Sequence, residues 1–153
     1  MRLFIVRPFG TQYGIDFNRV ESELIIEAVK GLRSQYGLEL LGSTTLEITR
    51  QGNIREDMFR LLVTSDLVIA DVSIHNVNVF YDLGIRHGLR ERHTFLIRSN
   101  TTTDKYPIDL QTDRYLVYEG NEPKASVDQL VKGLRATSRQ TTRTVRYSSC
   151  CRG

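Results

Sequence analysis

The chain has 153 residues, with 21 Lys+Arg against 18 Asp+Glu and a formal net charge of +3. That length suits one domain able to bury a core without disulfides or metals, and 40% hydrophobic with 25% charged residues is ordinary globular composition. No apolar run approaches the ~20 residues of a membrane span, and Met1–Val6 is too short for a signal-peptide core, so neither a membrane segment nor a leader is expected.

The positive charge is unevenly placed. From Ser138 to Gly153 the chain carries Arg139, Arg143, Arg146 and Arg152 and no acid. Without these four, the first 137 residues hold 17 basic against 18 acidic groups and are close to neutral. The organisation expected is therefore one domain over residues 1–137 and a basic, polar tail or linker over 138–153. A nucleic-acid or membrane-surface arm is the alternative for that tail, but a basic groove across the body is not expected. Both cysteines, Cys150 and Cys151, lie in the tail, and His75, His87 and His93 have no zinc spacing to a cysteine. The body is expected to be cytoplasmic and free of metal.

Arg2–Val6 (RLFIV) reads as a buried first strand, ended by Arg7-Pro8-Phe9-Gly10. Asp16 offers a cap for a first helix whose apolar face is Phe17, Val20, Leu24, Ile25, Ala28, Val29 and Leu32, with Gly37 as its stop. Leu38–Leu41 is a second strand, and Ile54–Thr64 a second helix with Ile54, Met58, Leu61 and Leu62 on one side. Leu67–Ala70 is the most strand-like run, closed by Asp71, and a third helix follows at Val77–Arg90. His93–Arg98 and Tyr115–Tyr118 give two further strands, and Ser126–Thr137 a last helix. Alternating strands and helices, with inner strands that are continuously apolar, predict a doubly wound α/β sheet of five mainly parallel strands.

Such sheets bind ligands beyond the carboxyl ends of their strands, at the switch in strand order. The loop there, from Asp71 to Gly84, holds Asp71, Asn76, Asn78 and Asp82. Asn78 and Asp82, four residues apart, would share a helix face. Two carboxylates and two amides suit recognition of a ribose and activation of its anomeric carbon. The same residues also admit a structural reading, in which Asp71 and Asn78 cap the helix and Asp82 pairs with Arg86. Gly84 and Gly88 predict a close approach of this helix to the sheet. His87 reads equally as a half-buried histidine or a base. In the first loop, Arg7 is placed to pair an anion and the glycines to offer backbone amides, although the spacing is neither a Rossmann nor a Walker loop.

The succession RPFG, QGNIREDMFRLLVTSDLVIADVS, NVNVFYDLGIRHGL and PIDL resembles the TIR-like and nucleoside 2-deoxyribosyltransferase-like group of flavodoxin-like domains. The resemblance runs from about Arg2 to Tyr118. Its central block also resembles the TIR-like region that accompanies TRAF-binding and kinase modules in signalling proteins. The resemblance implies a flavodoxin-like fold and cleavage or transfer at the N-glycosidic bond of a nucleoside or of NAD, with NAD a substrate and no cofactor required. It implies that Asp82 stands where those enzymes carry the glutamate that meets the anomeric carbon, and that Asn76 handles the base. Arg7, Phe9 and Gly10 would border the ligand, and Asp71 and Asn78 would hold ribose hydroxyls. Two positions depart from the pattern. Asp82 is about 1.5 Å shorter than a glutamate, and Val77 replaces a proline at the helix start. The alternative is a non-catalytic nucleotide-sensing or assembly module of a larger signalling or defence protein. A homo-oligomer that shares residues across subunits also belongs to these expectations.

Overall fold

The computed structural model describes residues 1–43, 54–89, 93–102 and 115–137. The basic tail, Cys150 and Cys151 lie outside the described residues, as do most of the loops expected after the second and fourth strands.

The first strand, β1 (Arg2–Val6), is followed by a hairpin of β2 (Thr11–Gln12) and β3 (Ile15–Asp16). This hairpin was not legible as more than a loop. Its turn places Tyr13 at φ 51° and Gly14 at φ 79°, the left-handed pair that a two-residue hairpin requires. Next come α1 (Phe17–Val20), a π-helical stretch (Glu21–Ile25) and α2 (Ile26–Tyr36). Asp16 caps this helix, its Oδ1 accepting from the Asn18 and Arg19 amides at 3.0 and 3.2 Å. Gly37 stops it in the left-handed conformation at φ 57°.

The chain continues through β4 (Glu39–Ser43), α3 (Ile54–Thr64), β5 (Leu67–Asp71), α4 (Val77–Leu89), β6 (Thr94–Ser99) and β7 (Tyr115–Tyr118). A 3₁₀ turn (Pro123–Ser126) leads into α5, residues 127–137. The main sheet has the order β4-β1-β5-β6-β7, and all four of its pairings are parallel. This is the flavodoxin-like order, with the first strand flanked by the second and third.

Alternation along the strands divides the core in two. Leu3, Ile5, Leu67 and Ile69 face Phe17, Val20, Leu24, Ile25 and Leu32 on one side, joined by Leu130 and Leu134 of α5. Phe4, Val6, Val68 and Ala70 face Leu62 of α3 and Val79 and Leu83 of α4 on the other. Each such side chain, fully buried, contributes about 1.5–3 kcal/mol. Both faces of β5 are covered, which is why its sequence shows no polar alternation.

Gly84 and Gly88 do not serve a close approach to the sheet. Both are exposed, and a Cβ built on either meets nothing within 4 Å. The close approach is made instead by Gly133 of α5, where an added Cβ would stand 2.6 Å from the Phe95 ring. No helix among the described residues is long and apolar enough to cross a membrane.

Candidate functional site

The chain leaves β1 for β4 on one side and returns to β5 on the other, so strand order switches between the carboxyl ends of β1 and β5. Arg7 follows β1 directly and Asp71 closes β5. By strand alternation both belong to the face covered by α1 and α2. Asp82 lies in the second turn of α4, on the opposite face. The candidate residues therefore flank the sheet's crest from two sides.

Asp71 is 1% exposed and fully engaged in a polar network. Its Oδ1 accepts from the Ser73 amide at 2.9 Å and the Ser73 hydroxyl at 2.6 Å, and its Oδ2 from the Tyr118 hydroxyl at 2.8 Å. The Ser73 Oγ in turn accepts from the Ser99 amide at 2.7 Å. Burial pushes the Asp71 carboxyl up to about 6, against the opposing pull of its Ser73 and Tyr118 hydrogen bonds and the Arg7 charge. Burial and the neighbouring Asp71 hold the Tyr118 hydroxyl well above the usual phenol range. This network ties β5, β6 and β7 together under the loop that carries the other candidates.

Asn76 is the cap of α4. Its Oδ1 accepts from the Asn78 and Val79 amides at 3.1 and 3.3 Å, and its carbonyl from the Phe80 amide at 3.1 Å. Asn78 is exposed at the first turn of the helix, beside Val77 and Tyr81, which are 79% and 59% exposed. Phe9 is exposed and Gly10 half-buried, with Gly10 at φ 61° and its carbonyl accepting from the Phe17 amide at 3.0 Å. Arg7 is 4% exposed; its Nε pairs with Glu21, and its Nη1 and Nη2 donate to the Pro8 carbonyl at 2.9 Å and Asn18 Oδ1 at 3.0 Å.

Asp82 contrasts with all of these. It is 8% exposed and sits between Val79, Leu83 and Arg86 on the inward stripe of α4. It does not pair with Arg86. That arginine, fully buried, turns away and donates to the carbonyls of Leu62 at 2.5 Å and Ser65 at 2.8 Å, closing the end of α3. Burial alone pushes the Asp82 carboxyl up to about 6, with no opposing hydrogen bond or charge. A carboxylate held this way keeps its oxygens available for a ligand. Its raised proton affinity also makes it a stronger base and nucleophile than a solvated aspartate.

His87 is exposed. Among the described residues no group of His, Cys, Asp and Glu is placed to hold a metal ion.

Three participants had little or no signal in the sequence. Ser73 could have been read from the Asp71-Val72-Ser73 spacing, which favours an Asx turn. Tyr118 reaches Asp71 from 47 residues away, and Glu21 reaches Arg7 through a π-helical turn; local pattern reports neither. No protein-family model matches the chain, and comparison with curated proteins gives no match.

Proposed function

We propose that the domain binds a nucleoside or nucleotide, NAD included, at the β1/β5 switch point and cleaves or transfers at its N-glycosidic bond. The observation that carries this reading is Asp82, an inward-facing carboxylate raised to about 6 by burial, which no hydrogen bond or ion pair engages among the described residues. A carboxylate that loses much of its hydration and gains no protein partner is held at a cost, and a developing positive charge is its natural complement. The anomeric carbon of a ribosyl group acquires that charge as the base departs. The resemblance of NVNVFYDLGIRHGL to the deoxyribosyltransferase-like block points to the same atom.

In this reading Asp82 meets the anomeric carbon, as nucleophile or as a charge that stabilises an oxocarbenium-like centre. Asn78, exposed at the first turn of α4, offers its side-chain amide to ribose hydroxyls or the base. Phe9 gives an apolar edge against which a sugar or base can rest. The network of Asp71, Ser73 and Tyr118 holds the loop bearing these groups and need not touch the ligand. Incubating the full chain with NAD and with a panel of ribo- and deoxyribonucleosides tests this, with release of free base as the readout. The reading predicts release from at least one substrate and loss of release in Asp82→Ala.

The shorter reach of Asp82 compared with glutamate supports a second reading, a sensor that binds the ligand without turnover. Asp82→Glu separates the two. Base release that appears only in Asp82→Glu marks a degenerate enzyme, and tight binding without release in either form marks a sensor.

A further inference from the structure

Arg7 is the basic residue that β1 delivers to the switch point, and its guanidinium is held on three sides. Nε faces the Glu21 carboxylate, Nη1 the Pro8 carbonyl at 2.9 Å and Nη2 the Asn18 amide oxygen at 3.0 Å. The two charged side chains are 3% and 13% exposed, so the pair is screened from solvent. Asn18 and Glu21 lie three residues apart on one face of the helix, where the α-helical turn passes into the π-helical stretch that Glu21 opens. Turns of this kind widen the helix and redirect side chains, and here they aim a carboxylate at the end of β1.

Among the described residues, acidic groups gather at this edge beside Arg7. Glu21, Asp71 and Asp82 surround the crest, and the Arg7 charge already acts on Asp71. Arg98, on the same edge, is two strands away on β6 and its Nε bonds the Thr102 hydroxyl at 3.3 Å. A ligand phosphate that paired with Arg7 would have to displace Glu21 from it. That would leave a largely buried carboxylate without its counter-charge, one of the more costly changes a protein interior can undergo.

Resting on the nucleotide-or-nucleoside reading above and narrowing it, we infer that Glu21 is a specificity-determining residue: by holding the Arg7 guanidinium it withholds that cation from ligand phosphate, so the site takes an uncharged nucleoside in preference to its 5′-phosphorylated form, and NAD, which carries 5′-phosphate on both riboses, is disfavoured with it. Glu21→Gln keeps the shape and a hydrogen-bond acceptor but removes the charge that competes with phosphate.

Calorimetric titration of the full chain tests this with common nucleosides, each paired with its 5′-monophosphate. Wild type binds the nucleoside at least about tenfold more tightly than its monophosphate, and Glu21→Gln reduces that ratio about tenfold. Inorganic phosphate competes with the nucleoside in Glu21→Gln and not in wild type. Wild type that holds the monophosphate as tightly as the nucleoside overturns the inference, and does so without any variant. A ratio that Glu21→Gln leaves unmoved, in protein whose thermal melt shows it folded, overturns it as well. A nucleoside that binds with the wrong ratio refutes only the role of Glu21. Absence of binding by every nucleoside and monophosphate refutes the functional reading and this inference together.

Discussion

Tyr118 on β7 donates its hydroxyl to Asp71 on β5 at 2.8 Å, reaching past the intervening strand β6. Ser73 completes the arrangement, its hydroxyl 3.2 Å from that of Tyr118 and 2.6 Å from Asp71 Oδ1. The bond closes the carboxyl edge of the sheet beneath the loop that starts α4. It also places an ionisable group where charge is poorly tolerated.

Asp71 therefore makes stability depend on pH with a definite sign. Its ordinary value of 3.8 applies to the unfolded chain and about 6 to the folded one, so the folded state binds more protons between those values. The stabilising contribution is fully present below 3.8 and is lost as pH rises through about 6. The loss at neutral pH is on the order of 3 kcal/mol. Asp82, also pushed up to about 6, acts in the same direction. Urea unfolding of wild type and Asp71→Asn across pH 4 to 7 checks this. The variant is expected to lose about half of the downward slope and to retain the share due to Asp82.

Arg86 is expected to matter for the fold and not for the chemistry. Arg86→Met would leave the Leu62 and Ser65 carbonyls without a charged donor in a buried site. The expected cost is about 3 kcal/mol, or a fall in Tm of about 10 °C. A melt unchanged within a degree would show that this clamp contributes nothing.

Asn76 caps α4, and the resemblance implies that it also handles the base; two substitutions separate these roles. Asn76→Ala removes the acceptor for the Asn78 and Val79 amides and is expected to cost about 1 kcal/mol. Asn76→Ser retains a capping oxygen, so its melt should stay close to wild type. If Asn76 also contacts the base, Asn76→Ser lowers base release despite the intact fold.

The fold was legible in the sequence where burial imposes a pattern. The run Leu67–Ala70 is apolar because helices cover both faces of β5, and Ile54–Thr64 shows its apolar stripe at helical spacing. Asp16 and Gly37 announced the ends of the first helix through their own chemistry, as a side-chain cap and a left-handed stop. The candidate site was legible only as a list of residues. Whether Asp82 pairs with Arg86 depends on where α3 ends, because Arg86 is drawn to the Leu62 and Ser65 carbonyls. Whether Arg7 is open to a phosphate depends on a π-helical turn that brings Glu21 against it. Both answers arise from packing between elements distant in the chain, and no local spacing carries them.

The role of Asp82 is read most plainly from the pH profile of base release, compared between wild type and Asp82→Asn. An aspartate that must be ionised to meet the anomeric carbon, and whose carboxyl is pushed up to about 6, predicts kcat/KM that rises through pH 6 and levels above 7. Asp82→Asn should then release no base at any pH. A flat profile with undiminished release in Asp82→Asn would contradict the account.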